Sequence, residues 1–163
     1  MSFSKQDLLE ILTGVCDPEI PVLNIVEMGI VRDVEFIGNS VRVDITPTYS
    51  GCPAMKVIQD DIVVALNSRG FKNVSVNTVY SPAWTTAWLS DSTKLKLKEY
   101  GIAPPKESSN NVIVLLPTKD NSMICPFCDS SETQLRSEFG STACKSLYYC
   151  NNCRQPFEHF KEI

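Results

Sequence analysis

The sequence predicts an α+β protein: a small two-layer α/β domain of helix, hairpin, helix and strand, followed by a small β module held by metal. Apolar residues recur at helical and then extended spacing through the first hundred residues. Five of the seven cysteines lie in the last forty residues, and only Cys16 and Cys52 precede them. A chain of 163 residues can bury one core, or a core of about 100 residues plus a small module that needs its own cross-link. The cysteine distribution favours the second arrangement.

The first helix is predicted by a capping box at Ser4 and Asp7 and by the apolar residues that follow it at helical spacing. It should end near Cys16, because Pro18 and Pro21 each disfavour helical geometry in the preceding residue. The apolar residues of this helix are Leu8, Ile11, Leu12 and Val15.

An alternating pattern on both sides of Gly38 and Asn39 predicts a β-hairpin with one buried face. The residues in the apolar phase are Ile30, Val34, Phe36, Val41, Val43 and Ile45. From Pro53 the apolar period becomes helical, and Gly70 follows this second helix where a C-terminal glycine is expected. A third strand around residues 74–76 then returns to the sheet, with the second helix as the crossover.

Residues 81–101 are expected to add one or two short helices, with Trp84 and Trp88 covering the edge of the core. The stretch APPKESSNN has the composition of a linker, and VIVLLP after it favours a short strand. The expected boundaries are therefore an α/β domain at 1–101, a linker with a short strand at 102–120, and a cysteine-rich module at 121–163.

The charge distribution argues against a nucleic-acid partner. Residues 1–101 carry nine basic and twelve acidic side chains, and residues 102–163 carry six and seven. Neither part has the basic surplus of a surface that binds phosphates. The longest aliphatic run, at 112–116, is too short to span a membrane. The odd number of cysteines and the polar amino terminus predict a reducing, cytoplasmic location.

The motifs CPFC and CNNC place four cysteines in two tight pairs separated by 21 residues. Such pairs aim four thiolates at one point, which predicts a tetrahedral zinc site, with a hairpin between the pairs. Iron in the same site, as a one-electron carrier, is the alternative. Four sulfur ligands leave no open position for water, so the expected role is structural rather than catalytic. The four are Cys125, Cys128, Cys150 and Cys153.

A fifth thiol, Cys144, lies close to this motif in the sequence. Three interpretations remain open, in decreasing order of preference. Cys144 is a buried small hydrophobic residue of the hairpin, an alternative ligand, or a transient partner for incoming metal.

Cys52 falls between the second strand and the second helix, where Pro53 is the expected first helical residue. This position would make Cys52 the N-cap, and the helix dipole would favour its thiolate. Cys52 is therefore a candidate metal ligand or nucleophile, with an inert cap as the alternative. The single histidine, His159, is expected to be solvated at the surface, which leaves a nucleophile without its usual base. Asp17 and Glu19 could supply oxygen ligands, bind a partner's lysine, or be solvated loop charges.

The segments DPEIPVLNIVEMGIVRDVEF and VRVDITPTYSGCPA resemble the small α/β domain of iron–sulfur carrier and targeting proteins of the SufT type. Together with the motif CPFC…FGSTACK…CNNC, the whole chain resembles the PaaD family of phenylacetate degradation proteins, whose C-terminal module is a zinc ribbon. The resemblance implies a functional thiol at Cys52, with Asp17 and Glu19 close to it. It also places Cys144 inside a string shared with the family.

The resemblance further implies a non-catalytic accessory protein that matures a metal or iron–sulfur centre in a multicomponent phenylacetyl-CoA epoxidase. Cys52 would carry a transient iron ion or iron–sulfur cluster, and a homodimer, Cys144 or a client would complete the ligand set. Its partners would be oxygenase or reductase subunits of that system. The alternative is an integral electron-transfer or structural subunit of the oxygenase complex.

Overall fold

The computed structural model describes residues 3–106 and 123–163. The chain divides into two compact units, Met1–Thr93 with Ile163 and Lys94–Glu162, and the predicted α+β class is confirmed. The helices are α1 (Lys5–Leu12), α2 (Ala54–Ser68) and α3 (Asp91–Tyr100). The strands are β1 (Val31–Ile37), β2 (Ser40–Ile45), β3 (Val74–Thr78), β4 (Ile102–Ala103), β5 (Thr133–Ser137), β6 (Lys145–Cys150) and β7 (Pro156–Phe160).

The first unit contains a three-stranded sheet in the order β1-β2-β3. The predicted hairpin is confirmed, because β1 and β2 pair antiparallel, and β3 returns parallel to β2 after the α2 crossover. The helices α1 and α2 supply apolar side chains to the core of this unit. The fully buried residues of these elements are Leu8, Leu12, Val34, Val43, Ile45, Ile58, Ile62 and Leu66.

The first helix ends earlier than the sequence predicts. The capping box is formed, with the Ser4 hydroxyl accepting from the Asp7 amide, but α1 ends at Leu12 rather than near Cys16. Beyond the helix, Cys16 instead forms an isolated antiparallel bridge with Asn24. Val15 is still buried, so the apolar spacing was correct although the backbone has left the helix.

The predicted burial of two aromatic residues of the first unit is confirmed for one and wrong for the other. Trp84 is 3% exposed and donates its indole N–H to the Met28 carbonyl oxygen at 2.8 Å, which confirms the expected covering role. Phe36, by contrast, is 40% exposed, so its assignment to the buried phase of the hairpin was wrong. Its ring packs against Phe71, with centroids 6.0 Å apart, near the end of the strand.

The second unit contains a four-stranded sheet in the order β4-β7-β6-β5. The hairpin predicted between the cysteine pairs is β5 and β6, which pair antiparallel. The residues predicted to begin the linker form β4, which pairs parallel with β7. The strand predicted around 112–116 lies outside the described residues, and the domain boundaries remain a prediction. In the two described ranges, no helix combines the length and apolarity needed to cross a membrane.

Candidate functional site

The four ribbon cysteines converge on one point. Their sulfur atoms all lie within 4.8 Å of one another. Cys125 and Cys153 are separated by 3.7 Å between sulfurs, and Cys128 and Cys150 by 3.6 Å. A tetrahedral ion with bonds of about 2.3 Å places its sulfur ligands about 3.8 Å apart. The four thiols therefore fit a tetrahedral zinc ion, and the same donor set can hold iron.

The two cysteine pairs have matching backbone conformations. Asp129 and Arg154, each directly after the second cysteine of its pair, adopt φ values of 57° and 59°. The amide of Cys125 donates to the Ser130 carbonyl at 3.0 Å, and that of Cys150 donates to Gln155 at 3.0 Å. These turns aim both thiols of each pair inward, which explains the short spacing CPFC and CNNC.

The protonation of these thiols differs with their surroundings. Burial raises the pKa of Cys125 to about 12, whereas a hydrogen bond from the Asn152 amide lowers the pKa of Cys128 to about 6. Cys128 is therefore deprotonated more readily than Cys125 and is the better ligand for an incoming cation. The pKa of Cys153 is also raised by burial, so Cys125 and Cys153 lose their protons as metal binds, and metal affinity depends on pH.

Cys144 is buried, at 3% exposure, and its sulfur lies 3.1 Å from the Thr142 hydroxyl oxygen. Within residues 3–106 and 123–163, the four ribbon cysteines are the group of at least three metal-competent side chains found, and Cys144 is not part of it. Its burial agrees with the preferred interpretation as a small buried residue, and the two metal-related alternatives remain predictions.

The string FGSTACK acquires a role that sequence reasoning missed. Glu158 on β7 accepts a hydrogen bond from the Ser141 amide at 2.5 Å and pairs with the Lys145 ammonium at 3.1 Å. A Cβ at position 140 would lie 2.6 Å from a Glu158 carboxylate oxygen, so a larger residue than Gly140 would displace this carboxylate. The side chain of Lys145 is only 4% exposed. A buried ion pair therefore fixes the loop that leads into β6.

In the first unit, Cys52 lies one residue earlier than predicted relative to the second helix. Pro53 is the N-cap of α2 and the helix begins at Ala54, so the assignment of Cys52 as N-cap was wrong. Gly51, with φ of 81°, turns the chain before the thiol. Cys52 is half-buried and borders a cavity of about 360 Å³ that Lys56 and Tyr80 also line.

The expected thiolate at Cys52 is also corrected. Burial raises the pKa of the Cys52 thiol, and the negative charges of Glu19 and Asp17 raise it further. Hydrogen bonds from the Ala54 amide and the Tyr49 side chain lower this pKa, but by less. The helix start does act on the sulfur, as expected from its amide groups, yet desolvation and neighbouring carboxylates outweigh it. Cys52 is therefore a neutral thiol at neutral pH.

The acidic loop acts electrostatically on the thiol, because the charges of Glu19 and Asp17 both raise the pKa of Cys52. Asp17 is 5% exposed, which contradicts its interpretation as a solvated charge. Its carboxylate accepts hydrogen bonds from the amides of Glu19 at 2.7 Å and Ile20 at 2.9 Å. Asp17 thus orders the proline-containing loop while presenting negative charge towards Cys52.

The single histidine differs from expectation. His159 on β7 is buried, at 3% exposure, and its Nδ1 hydrogen-bonds the Ser146 hydroxyl at 3.2 Å. It was expected to be solvated, but the alternation of β7 directs it inward. Because it is the chain's one histidine, the first unit contains no imidazole base.

Comparison with known proteins identifies both units. A family model described as the PaaD zinc beta ribbon domain matches residues 110–161. A second, described as an iron-sulfur cluster assembly protein, matches residues 5–78.

Two relatives and one solved structure show how far the similarity extends. A protein of Escherichia coli (strain K12), named as a component of 1,2-phenylacetyl-CoA epoxidase, is 44% identical over 96% of this chain and 92% of its own. The Fe-S protein maturation auxiliary factor SufT of Staphylococcus aureus (strain USA300) is 35% identical over 51% of this chain and 96% of its own. The crystal structure of a domain of unknown function, DUF59, from Bacillus anthracis is 31% identical, with a TM-score of 0.53. It covers 57% of this chain and 90% of that chain.

The Escherichia coli protein is similar to both units, because its match covers 96% of this chain. With 44% identity over nearly the full length of both sequences and a matching ribbon model, the chain belongs to the PaaD family, in which an iron–sulfur assembly domain precedes a zinc ribbon.

Proposed function

We propose that the chain is a cytoplasmic accessory factor that matures a metal or iron–sulfur centre in a multicomponent phenylacetyl-CoA epoxidase. The relatives support this role by their names: one is called an epoxidase subunit, and others are called Fe-S protein maturation auxiliary factors. The chain itself would assemble or deliver the metal and would not oxidise the substrate.

The observation that carries the proposal is the setting of Cys52. Its thiol borders a surface cavity, and the negative charges of Glu19 and Asp17 raise its pKa. Those carboxylates disfavour a bare thiolate, but they favour a cation beside the sulfur. The resting thiol is therefore poorly nucleophilic, and it becomes a ligand when an arriving metal ion displaces its proton.

Such a site suits cargo better than a permanent cofactor. One sulfur and two carboxylates fall short of the four thiolates that hold an iron–sulfur cluster. The missing ligands would come from a second copy of the chain or from the client, so the metal could leave with the client. The client would be an oxygenase or reductase subunit of the epoxidase.

Conventional thiol catalysis has little support in the first unit. A cysteine nucleophile needs a base within hydrogen-bonding distance, and the one histidine, His159, is buried within β7 and hydrogen-bonded to Ser146. The raised pKa of Cys52 also opposes attack at neutral pH. The four-cysteine site, closed by sulfur, offers no position for a substrate.

The test is the iron content of the client in cells that lack the natural chain and carry Cys52→Ser. Tagged oxygenase is purified after growth on an aromatic acid, and its iron per subunit is measured. We expect a several-fold loss with Cys52→Ser and normal iron with Cys16→Ser, because Cys16 is an exposed thiol of the same unit. Equal iron in both strains would exclude Cys52 from the transfer.

A second function, as an integral electron-transfer or structural subunit, is favoured by the suitability of the four-thiolate site for iron. Metal analysis separates the two. One zinc per chain and no visible absorption would exclude electron transfer. One iron per chain, with a reversible one-electron change, together with stoichiometric presence in the purified epoxidase, would support it.

A further inference from the structure

The second unit contains a histidine whose position the zinc ribbon does not explain. His159 is almost fully buried, and its Nδ1 is satisfied by Ser146. Its Nε2, shielded from solvent, has no hydrogen-bond partner within the described residues. A buried imidazole nitrogen without a partner is costly, so its retention calls for an additional ligand.

A carboxylate lies close to that nitrogen but too far for a direct bond. The Glu162 Oε1 atom is 3.7 Å from Nε2, beyond hydrogen-bond range. The same oxygen accepts from the Lys106 amide at 2.7 Å, which holds the carboxylate in place. A transition-metal ion bonded at about 2.1 Å to each atom would span 3.7 Å with an angle near 120° at the metal. The separation therefore fits two ligands of one ion better than it fits a hydrogen bond.

The surroundings give such an ion an entrance and water ligands. His159 and Glu162 both line a cavity of about 260 Å³. The Glu162 side chain is 45% exposed, so an ion can enter from its side. Ser146 also lines this cavity, and its hydroxyl can accept from Nδ1–H, which leaves the Nε2 lone pair free. This outer hydrogen bond is the arrangement that fixes metal-binding histidines.

The charges around the cavity predict exchangeable rather than permanent binding. Glu138 and Lys161 also line it, and the charge of Lys106 reaches His159. Lys161 is held on the Glu138 carbonyl oxygen at 3.0 Å and over the Phe139 ring at 4.7 Å. The two lysines offset the two carboxylates, so affinity should be well below that of the four-thiolate site.

We propose that His159 and Glu162 form a second metal site on the ribbon, which binds an exchangeable divalent transition-metal ion with water as the remaining ligands. Imidazole and carboxylate donors suit Zn²⁺, Co²⁺ or Fe²⁺ rather than Mg²⁺ or Ca²⁺. The site does not involve Cys52, so the result of its test is independent of the result for the proposed transfer function.

The experiment uses the full chain with its four-cysteine site already filled by one zinc. Co²⁺ is titrated in, the bound metals are counted by native mass spectrometry, and the imidazole resonances are followed by NMR. The single histidine makes those resonances unambiguous. Thiolate-to-cobalt absorption in the near ultraviolet reports any cobalt that reaches a cysteine instead.

We expect a second metal per chain, with shifted or broadened His159 ring signals and no thiolate absorption. Glu162→Gln should weaken this binding at least tenfold, since even the loss of an outer-shell partner costs about 10- to 100-fold in metal affinity. His159→Gln should abolish it. Glu132→Gln, an exposed acid of the same unit that does not line the cavity, should leave it unchanged.

Glu162→Gln keeps the test decisive if His159→Gln disturbs folding, because the Glu162 side chain is partly exposed. A stoichiometry that stays at one metal would overturn the proposal. So would a second ion that binds equally well to Glu162→Gln, or one that binds while the His159 resonances stay in place.

Discussion

Replacing Glu158 with glutamine should destabilise the second unit by about 2–4 kcal/mol, because it removes the carboxylate charge that pairs with the buried Lys145 ammonium. The change keeps the size of the side chain and its ability to accept the Ser141 N–H bond. It removes only the negative charge that faces Lys145 at 3.1 Å. The effect therefore reports the ion pair rather than packing.

The magnitude follows from distance and burial. At 3.1 Å, the Coulomb attraction is about 5 kcal/mol for an effective dielectric constant of about 20. Breaking a fully buried pair costs about 3–5 kcal/mol. The Lys145 side chain is 4% exposed but that of Glu158 is 24% exposed, so solvent screens part of the attraction and the expected loss falls to about 2–4 kcal/mol.

The assay is zinc release during urea unfolding, followed with a chromogenic chelator, because this signal belongs to the unit that holds the four cysteines. Glu132→Gln is the matched control, since Glu132 is exposed on the same unit, and it should change stability by less than about 0.5 kcal/mol. Lys145→Met in the Glu158→Gln background should restore much of the loss, because it removes the buried ammonium that the Glu158 carboxylate no longer neutralises. Identical unfolding of Glu158→Gln and Glu132→Gln would refute the reasoning.

The pH dependence provides an independent check on the same pair. Burial by itself would raise the pKa of Glu158, but hydrogen bonds from Ser141 and the charge of Lys145 outweigh it and lower the pKa. A carboxyl with a lowered folded pKa stabilises the fold above its unfolded pKa, and this stability is lost as the pH falls through the folded value. The difference between wild type and Glu158→Gln should therefore stay constant from about pH 8 to about pH 6, both well above the ordinary glutamate pKa of 4.5.

Three further predictions concern both units. Glu19→Gln, in a Cys16→Ser background, should lower the pH midpoint for iodoacetamide labelling of Cys52, because the Glu19 charge raises that pKa; an unchanged midpoint would contradict this. Arg154→Gly should stabilise the zinc-loaded ribbon by about 1 kcal/mol, since φ of 59° strains a residue with a Cβ; zinc release at lower urea than wild type would count against it. Zinc removal by a chelator should unfold the second unit while the fluorescence of Trp84, buried in the first unit, stays unchanged; a parallel loss of both signals would show that the units unfold together.

Local features of the fold could be predicted because they depend on residues close in the sequence. The capping box at Ser4, the hairpin around Gly38 and the glycine after α2 follow from backbone preferences within a few residues. The spacing of the cysteine pairs likewise restricts each pair to one tight turn. Helix ends were less predictable. The chain leaves α1 at Leu12, and Cys16 then forms a bridge with Asn24, a pairing that the helical apolar spacing does not predict.

The sequence by itself determined the hairpin, the crossover helix and the third strand of the first sheet and the convergence of four cysteines, since spacing and periodicity are properties of the chain. Only the tertiary structure decided the state of the remaining chemical groups. Burial of Cys52, together with the charges of Glu19 and Asp17 from far earlier in the chain, reverses its expected pKa shift. Lys145 and His159 are buried against partners on other strands. Burial and neighbouring charges depend on which distant segments pack together. Because they determine the pKa of each group, the pKa shifts could not be predicted from local sequence patterns.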